Sequence, residues 1–134
     1  MYSPFHLEIA TPERLFYSGD VEMVIVSTPT GQVGILKNHM PMVLAVTSDP
    51  IRLLIDEKWK EASVASGFME VTKDNVVLFV DSAEWPEEID VLRAIEAKKR
   101  AEERLHFKHS QQEYVQSQAA LARAISRLRV TKKD

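Results

Sequence analysis

Up to residue 81 the chain alternates apolar and polar positions in short runs, the period-two pattern of half-buried strands. Phe5-His6-Leu7-Glu8-Ile9 is one such run, and residues 21–27 are apolar and rich in β-branched types. Further strand-like pieces fall at 34–36, 42–46, 51–55, 62–65, 68–71 and 76–80, with side chains that suit a pleated surface. Turn-forming residues separate them: Thr11-Pro12, Ser18-Gly19-Asp20, Pro29-Thr30-Gly31, Asp56-Glu57-Lys58 and Lys73-Asp74-Asn75. No helical period intervenes, so the pattern predicts an antiparallel sandwich or barrel and not a βαβ fold. Trp59, Phe68 and Phe79 are expected to pack in its core or at its edges.

Beyond residue 81 the period changes. Pro86-Glu87-Glu88-Ile89-Asp90 reads as a helix entrance, with Asp90 placed to cap and acidic residues near the positive end of the helix dipole. Residues 91–105 contain no Gly or Pro, and Leu92, Ile95, Ala94, Ala97 and Ala101 recur at helical spacing. A polar stretch at 106–112 interrupts the apolar stripe, which resumes at Tyr114, Leu121, Ile125 and Leu128 with near-heptad spacing. At 1.5 Å per residue the two segments are about 22 and 27 Å long, matched for an antiparallel hairpin. The chain therefore divides into a β domain, residues 1–85, and a helical region, residues 86–134, an α+β class. The potential contact faces of the helices are rich in alanine: Ala94, Ala97, Ala101, Ala119, Ala120, Ala122 and Ala124. Each methyl is worth only about 0.8 kcal/mol on burial, and helices of this length are marginal without packing. A hairpin built this way can open.

Composition narrows the function classes. The chain has 134 residues, 45% apolar and 28% charged, with a net charge of −3. That acidic balance argues against nucleic acid as a partner. The absence of Cys excludes disulfides and thiolate metal sites. The apolar runs are far shorter than the roughly 20 residues of a membrane span, and Met1-Tyr2-Ser3-Pro4 has no leader character. The expectation is a cytosolic protein that meets a membrane only through partners. No nucleophile–base set and no P-loop is present. His106 and His109, three apart, lack the carboxylates to complete a metal site and read as a solvated linker. A ligand-binding sandwich would call for aromatics clustered on one sheet face, whereas the ten aromatics here are spread along the chain.

Three motifs carry a resemblance. Gly31-Gln32-Val33-Gly34-Ile35-Leu36-Lys37-Asn38-His39-Met40-Pro41 resembles the G-x-x-G-I-L-x-x-H-x-P loop of epsilon subunits of bacterial F-type ATP synthases. Ser66-Gly67-Phe68-Met69-Glu70-Val71 is similar to that family's G-G-F-x-E-V segment, and Ile89-Asp90-Val91-Leu92-Arg93-Ala94 to its I/L-D-x-x-R-A motif. The three stand in the family's order and cover essentially the whole chain. Lys37 departs from a usual Pro, and Ser66 from the first Gly of the pair. The resemblance implies a ten-stranded β-sandwich that binds the gamma subunit and the c-ring, followed by a regulatory helical hairpin. It implies a non-catalytic central-stalk subunit, monomeric when isolated, attached peripherally to the cytoplasmic face of the bacterial cell membrane. Proton-driven rotation would pass through it to ATP synthesis. Within the sandwich, residues 30–41 would meet the c-ring.

The same resemblance implies ATP as a regulatory ligand, with no metal required, held by Glu84, Asp90, Arg93, Ala94, Arg100, Arg123 and Arg127. Spacing alone leaves two readings open. Asp90 and Arg93 share a helix face, and Arg123 and Arg127 are one turn apart; an antiparallel hairpin returns the second pair toward the first, where guanidinium groups suit phosphate oxygens. Equally, Asp90 can be only a cap and the arginines a solvated basic face. The resemblance further implies an extended hairpin that reaches the catalytic alpha/beta head and blocks hydrolysis, with Arg123, Arg127, Arg129, Lys132 and Lys133 meeting acidic segments there.

Overall fold

The computed structural model describes residues 2–107 and 110–132; His109 and Lys133, discussed above, lie outside them. Ten strands form two sheets: β1 (Phe5–Ala10), β2 (Leu15–Val21), β3 (Met23–Thr28), β4 (Gly31–Ile35), β5 (Met42–Val46), β6 (Asp49–Ile55), β7 (Lys58–Val64), β8 (Gly67–Val71), β9 (Asn75–Val80) and β10 (Ala83–Glu84). One sheet runs β2-β1-β9-β8-β5 and the other β10-β7-β6-β3-β4. A 3-10 turn (Pro86–Glu88) leads into α1 (Val91–Leu105) and then α2 (Gln111–Thr131). The fold is the expected α+β sandwich with a helical hairpin. All strand pairs are antiparallel except β1 with β9, which run parallel from His6 opposite Asn75 to Ala10 opposite Phe79.

Alternation decides what lies between the sheets. Leu7 and Ile9 of β1, Ile51 and Leu53 of β6, and Met69 and Leu78 of β8 and β9 are fully buried in one cluster with Val21, Val24, Val26 and Ile35. The run 21–27, read above as one strand, is two. Val21 is buried and so are Val24 and Val26, a slip of one position that alternation cannot survive. At the slip the chain crosses from one sheet to the other at Glu22, whose N–H donates to the Leu54 carbonyl at 2.7 Å. Ser18-Gly19-Asp20, expected as a turn, lies instead in β2 opposite Glu8, Leu7 and His6. An edge strand with one solvated face tolerates such residues. Trp59, Phe68 and Phe79 are not core residues: 44, 50 and 41% exposed, they sit on outward faces. There Phe68 and Phe79 pack with their rings tilted, centroids 5.2 Å apart, and Arg52 lies 4.6 Å over Trp59.

The two departures from the family pattern are local. A Cβ at Gly67 would run into the Phe79 carbonyl, so the second glycine of the pair is the one the sheet requires, and it is retained. Lys37 is the second residue of a turn closed by His39 N–H to the Leu36 carbonyl at 3.2 Å, with Asn38 at φ 64. That position favours Pro but accepts most residues.

Asp90 caps α1, accepting from the Arg93 N–H at 3.2 Å. Ser110 and Glu113 form a reciprocal capping box that starts α2. The seam between the helices is made of small residues: Ala94 and Ala101 are buried on α1, Ser117 and Ala124 on α2, each pair seven apart. The larger Leu92, Ile95 and Val115 stay exposed. The helix α2 lies on β6 and β7, and α1 packs on α2.

Candidate functional site

The sequence-derived residues gather around the point where β10, the 3-10 turn, the start of α1 and the end of α2 meet. Thr131 and Val91 line one cleft there, with Trp59, Lys60, Trp85 and Pro86, so the end of α2 does return to the start of α1. Arg127 of α2 donates its Nε–H to Glu84 Oε1 of β10 at 2.6 Å. This is the one pair of candidate side chains that the fold joins directly, and it leaves both Nη groups of Arg127 without a hydrogen bond among the described residues. Asp90 is occupied as the α1 cap, and the Arg93 guanidinium forms no ion pair among the described residues. Ala94 is buried against α2, with its N–H on the Asp90 carbonyl. Arg100 stands one turn from Glu96 at 4.0 Å, and Arg123 is exposed with no ion pair among the described residues. Arg93, Arg100 and Arg123 are thus not in contact with Glu84.

Contacts around three further points, Asp49, Ser63 and Arg14, have no counterpart in the sequence motifs. Arg129, two residues past Arg127, donates to Asp49 Oδ1 at 2.6 Å, and Ser27 donates to Asp49 Oδ2 at 2.5 Å. Ser63 of β7 and Ser126 of α2 share a buried hydrogen bond at 2.9 Å. Arg14 grips Glu88 of the 3-10 turn with both Nη groups, at 2.8 and 2.9 Å, and reaches the Ala83 carbonyl at 3.1 Å. Arg14 holds the Glu88 carboxyl below its ordinary pKa, helped by the Trp85 N–H, and Glu88 in turn raises that of Arg14. Asp49 sits beside Pro50 and looks like a turn residue; the only local signal was a serine inside the apolar run 62–65.

At the opposite edge of the same sheet from β10, the turn after β4 and the start of β5 expose Leu36, Met40 and Met42, Met40 at 77%. No described helix is long and apolar enough to cross a membrane.

Residues 4–86 match the ATP synthase Delta/Epsilon chain beta-sandwich domain, and residues 87–132 match the Delta/Epsilon chain long alpha-helix domain. The ATP synthase epsilon chain of Caldanaerobacter subterraneus subsp. tengcongensis is 51% identical over 134 residues, 99% of this chain and 97% of the relative. That of Ruminiclostridium cellulolyticum is 50% identical over 127 residues, 95% of each. Among solved structures, a chain of the Euglena gracilis mitochondrial ATP synthase (OSCP/F1/c-ring, rotational state 1) superposes with a TM-score of 0.77 at 18% identity, covering 91% of this chain and 78% of that one. A chain of the Tetrahymena thermophila mitochondrial ATP synthase central stalk and c-ring gives 0.69 at 9% identity, covering 98% of each. Both halves match in order, and the bacterial relatives align almost end to end: the chain belongs to the ATP synthase delta/epsilon chain family, among its epsilon chains.

Proposed function

We propose that this epsilon-type chain, a non-catalytic subunit of an enzyme complex, couples c-ring rotation to ATP synthesis and brakes ATP hydrolysis through its hairpin. In this reading the sandwich binds gamma and sets residues 30–41, β4 and the exposed turn after it, on the c-ring at the cytoplasmic face of the membrane. With ATP bound the hairpin stays folded on the sandwich. Without it the balance shifts away from the folded state, toward helices extended along gamma to the catalytic head. ATP then favours the folded state by mass action.

One observation carries the mobile hairpin: apart from the buried Val130, α2 is fastened to the sandwich by a serine pair and two charged pairs, while the larger apolar side chains Leu92, Ile95 and Val115 face solvent. Release gives up little apolar burial, and an extended state can bury what the folded state exposes. The nucleotide reading is supported by Arg93 and Arg123, which form no ion pair among the described residues, and by Arg127, which Glu84 orients through Nε alone. Guanidinium donors of this kind suit phosphate oxygens. Calorimetric titration of the isolated chain with ATP tests it. Binding at up to about 1 mM ATP, weakened at least about tenfold in Arg93→Ala and Arg123→Ala, is expected. No binding in that range, or binding undiminished from the wild type in both variants, overturns the sensor and leaves the coupling role standing. Co-purification with gamma tests that role.

A further inference from the structure

We propose that the sandwich carries a carboxylate latch for the end of α2, which holds the hairpin down with no nucleotide present. The latch goes beyond the ATP reading and does not depend on it. Its parts lie on neighbouring strands. Glu84 of β10 stands opposite Ser63 of β7, and Ser63 stands opposite Pro50 of β6, next to Asp49. Each meets a residue within one turn of α2: Arg127 on Glu84, Ser126 on Ser63 and Arg129 on Asp49.

The burial of β7 shows where the helix presses. Residues 58–61 are exposed, yet Ala62, Ser63 and Val64 are buried in succession, so this end of the strand is covered on both faces. The cover over Ser63 is α2. The Asp49 socket is ordered from below: Ser27 is itself buried and holds Oδ2, so Oδ1 stays free and turned to the arginine. A carboxylate fixed this way loses little freedom when a guanidinium arrives, and the bond is charge-assisted.

Lifting α2 separates two arginines from two carboxylates and uncovers two serines. What holds the hairpin is therefore sensitive to salt, unlike an apolar seat. Asp49, Ser27, Ser63, Ser126 and Arg129 all lie outside the residues proposed for ATP.

The test is hydrogen exchange of the α2 amides in the full-length, nucleotide-free chain, with β1 and β9 as internal controls. Exchange in α2 reads the opening equilibrium of the hairpin. Arg129→Ala and Asp49→Asn are each expected to speed it about threefold to fivefold, the range of a half-exposed ion pair, with no change in β1 or β9. Raising salt should accelerate the wild type and have a smaller effect on the double variant. Combining Asp49→Arg with Arg129→Asp should slow exchange relative to either reversal alone. Unchanged α2 rates in both Arg129→Ala and Asp49→Asn, or a rise shared equally by β1 and β9, would overturn the latch.

Discussion

Arg14 and Glu88 are 74 positions apart, and neither stands in a recognisable motif, yet they fasten the start of the helical region to the sandwich. The guanidinium supplies two donors and the Trp85 N–H a third, all favouring the charged carboxylate. Glu88 is thereby held below its ordinary value of 4.5. A carboxyl lowered in the folded state contributes stability that is complete above the unfolded value and lost as pH falls through the folded one. Arg14→Gln should therefore lower Tm at neutral pH, with the gap to the wild type closing as pH drops below that of a free carboxylate. Thermal melts across the acid range check this; a gap constant with pH would mean that Arg14 acts through packing on Phe16, over whose ring its guanidinium lies at 5.1 Å. Pairs like this are invisible in the sequence because their energy depends on a tertiary approach that neither segment encodes.

At the scale of elements, the buried hydrogen bond between Ser63 and Ser126 shows why the docking face was harder to read than the helix itself. The bounds of α1 were legible to the residue, because Asp90 is a capping residue that announces the next turn. The seat of α2 was not, because hydrophobic periodicity points to Tyr114 and Ile125, which are exposed, and passes over Ser117 and Ser126, which are buried. Small and polar residues let the helices approach closely but give no apolar stripe. The same limit hid β2, whose Ser18-Gly19-Asp20 looks like a turn, while the doubly flanked β1 and β9 were legible from alternation. Ser126→Ala should leave the Ser63 hydroxyl buried without a partner, at a cost of about 1–2 kcal/mol. The hairpin can escape part of that cost by opening, so α2 should be affected before the sandwich. Ser63→Ala with Ser126→Ala removes both groups and should cost less than the sum of the singles. Denaturant unfolding followed by helical circular dichroism measures this coupling; additive effects would show that the two hydroxyls do not depend on each other.

The whole molecule is asymmetric in what stabilises it. Among the described residues the hydrophobic cluster draws on 5–85 alone, from Phe5 to Trp85, and no side chain of α1 or α2 belongs to it. Trp85 closes that cluster by stacking on Phe16 at 4.6 Å, just before the helices begin. The sandwich thus holds a complete core, and the hairpin adds a largely polar seat, with Val130 buried beside it, and an alanine seam on its outside. A chain ending at residue 89 keeps both the Phe16–Trp85 stack and the Arg14–Glu88 fork, and loses the α2 cover over β6 and β7, including that over Ser63, Glu84 and Asp49. Once uncovered, those groups are hydrated and not stranded, so their exposure costs little. The truncated chain should unfold in one cooperative step, with a stability loss of about 1 kcal/mol and a Tm lower by about 4–8 °C. Calorimetry on both forms decides. A broad, non-cooperative transition in the truncated chain would mean that the hairpin completes the core, and a helix pair the core needs could not leave it without unfolding the rest.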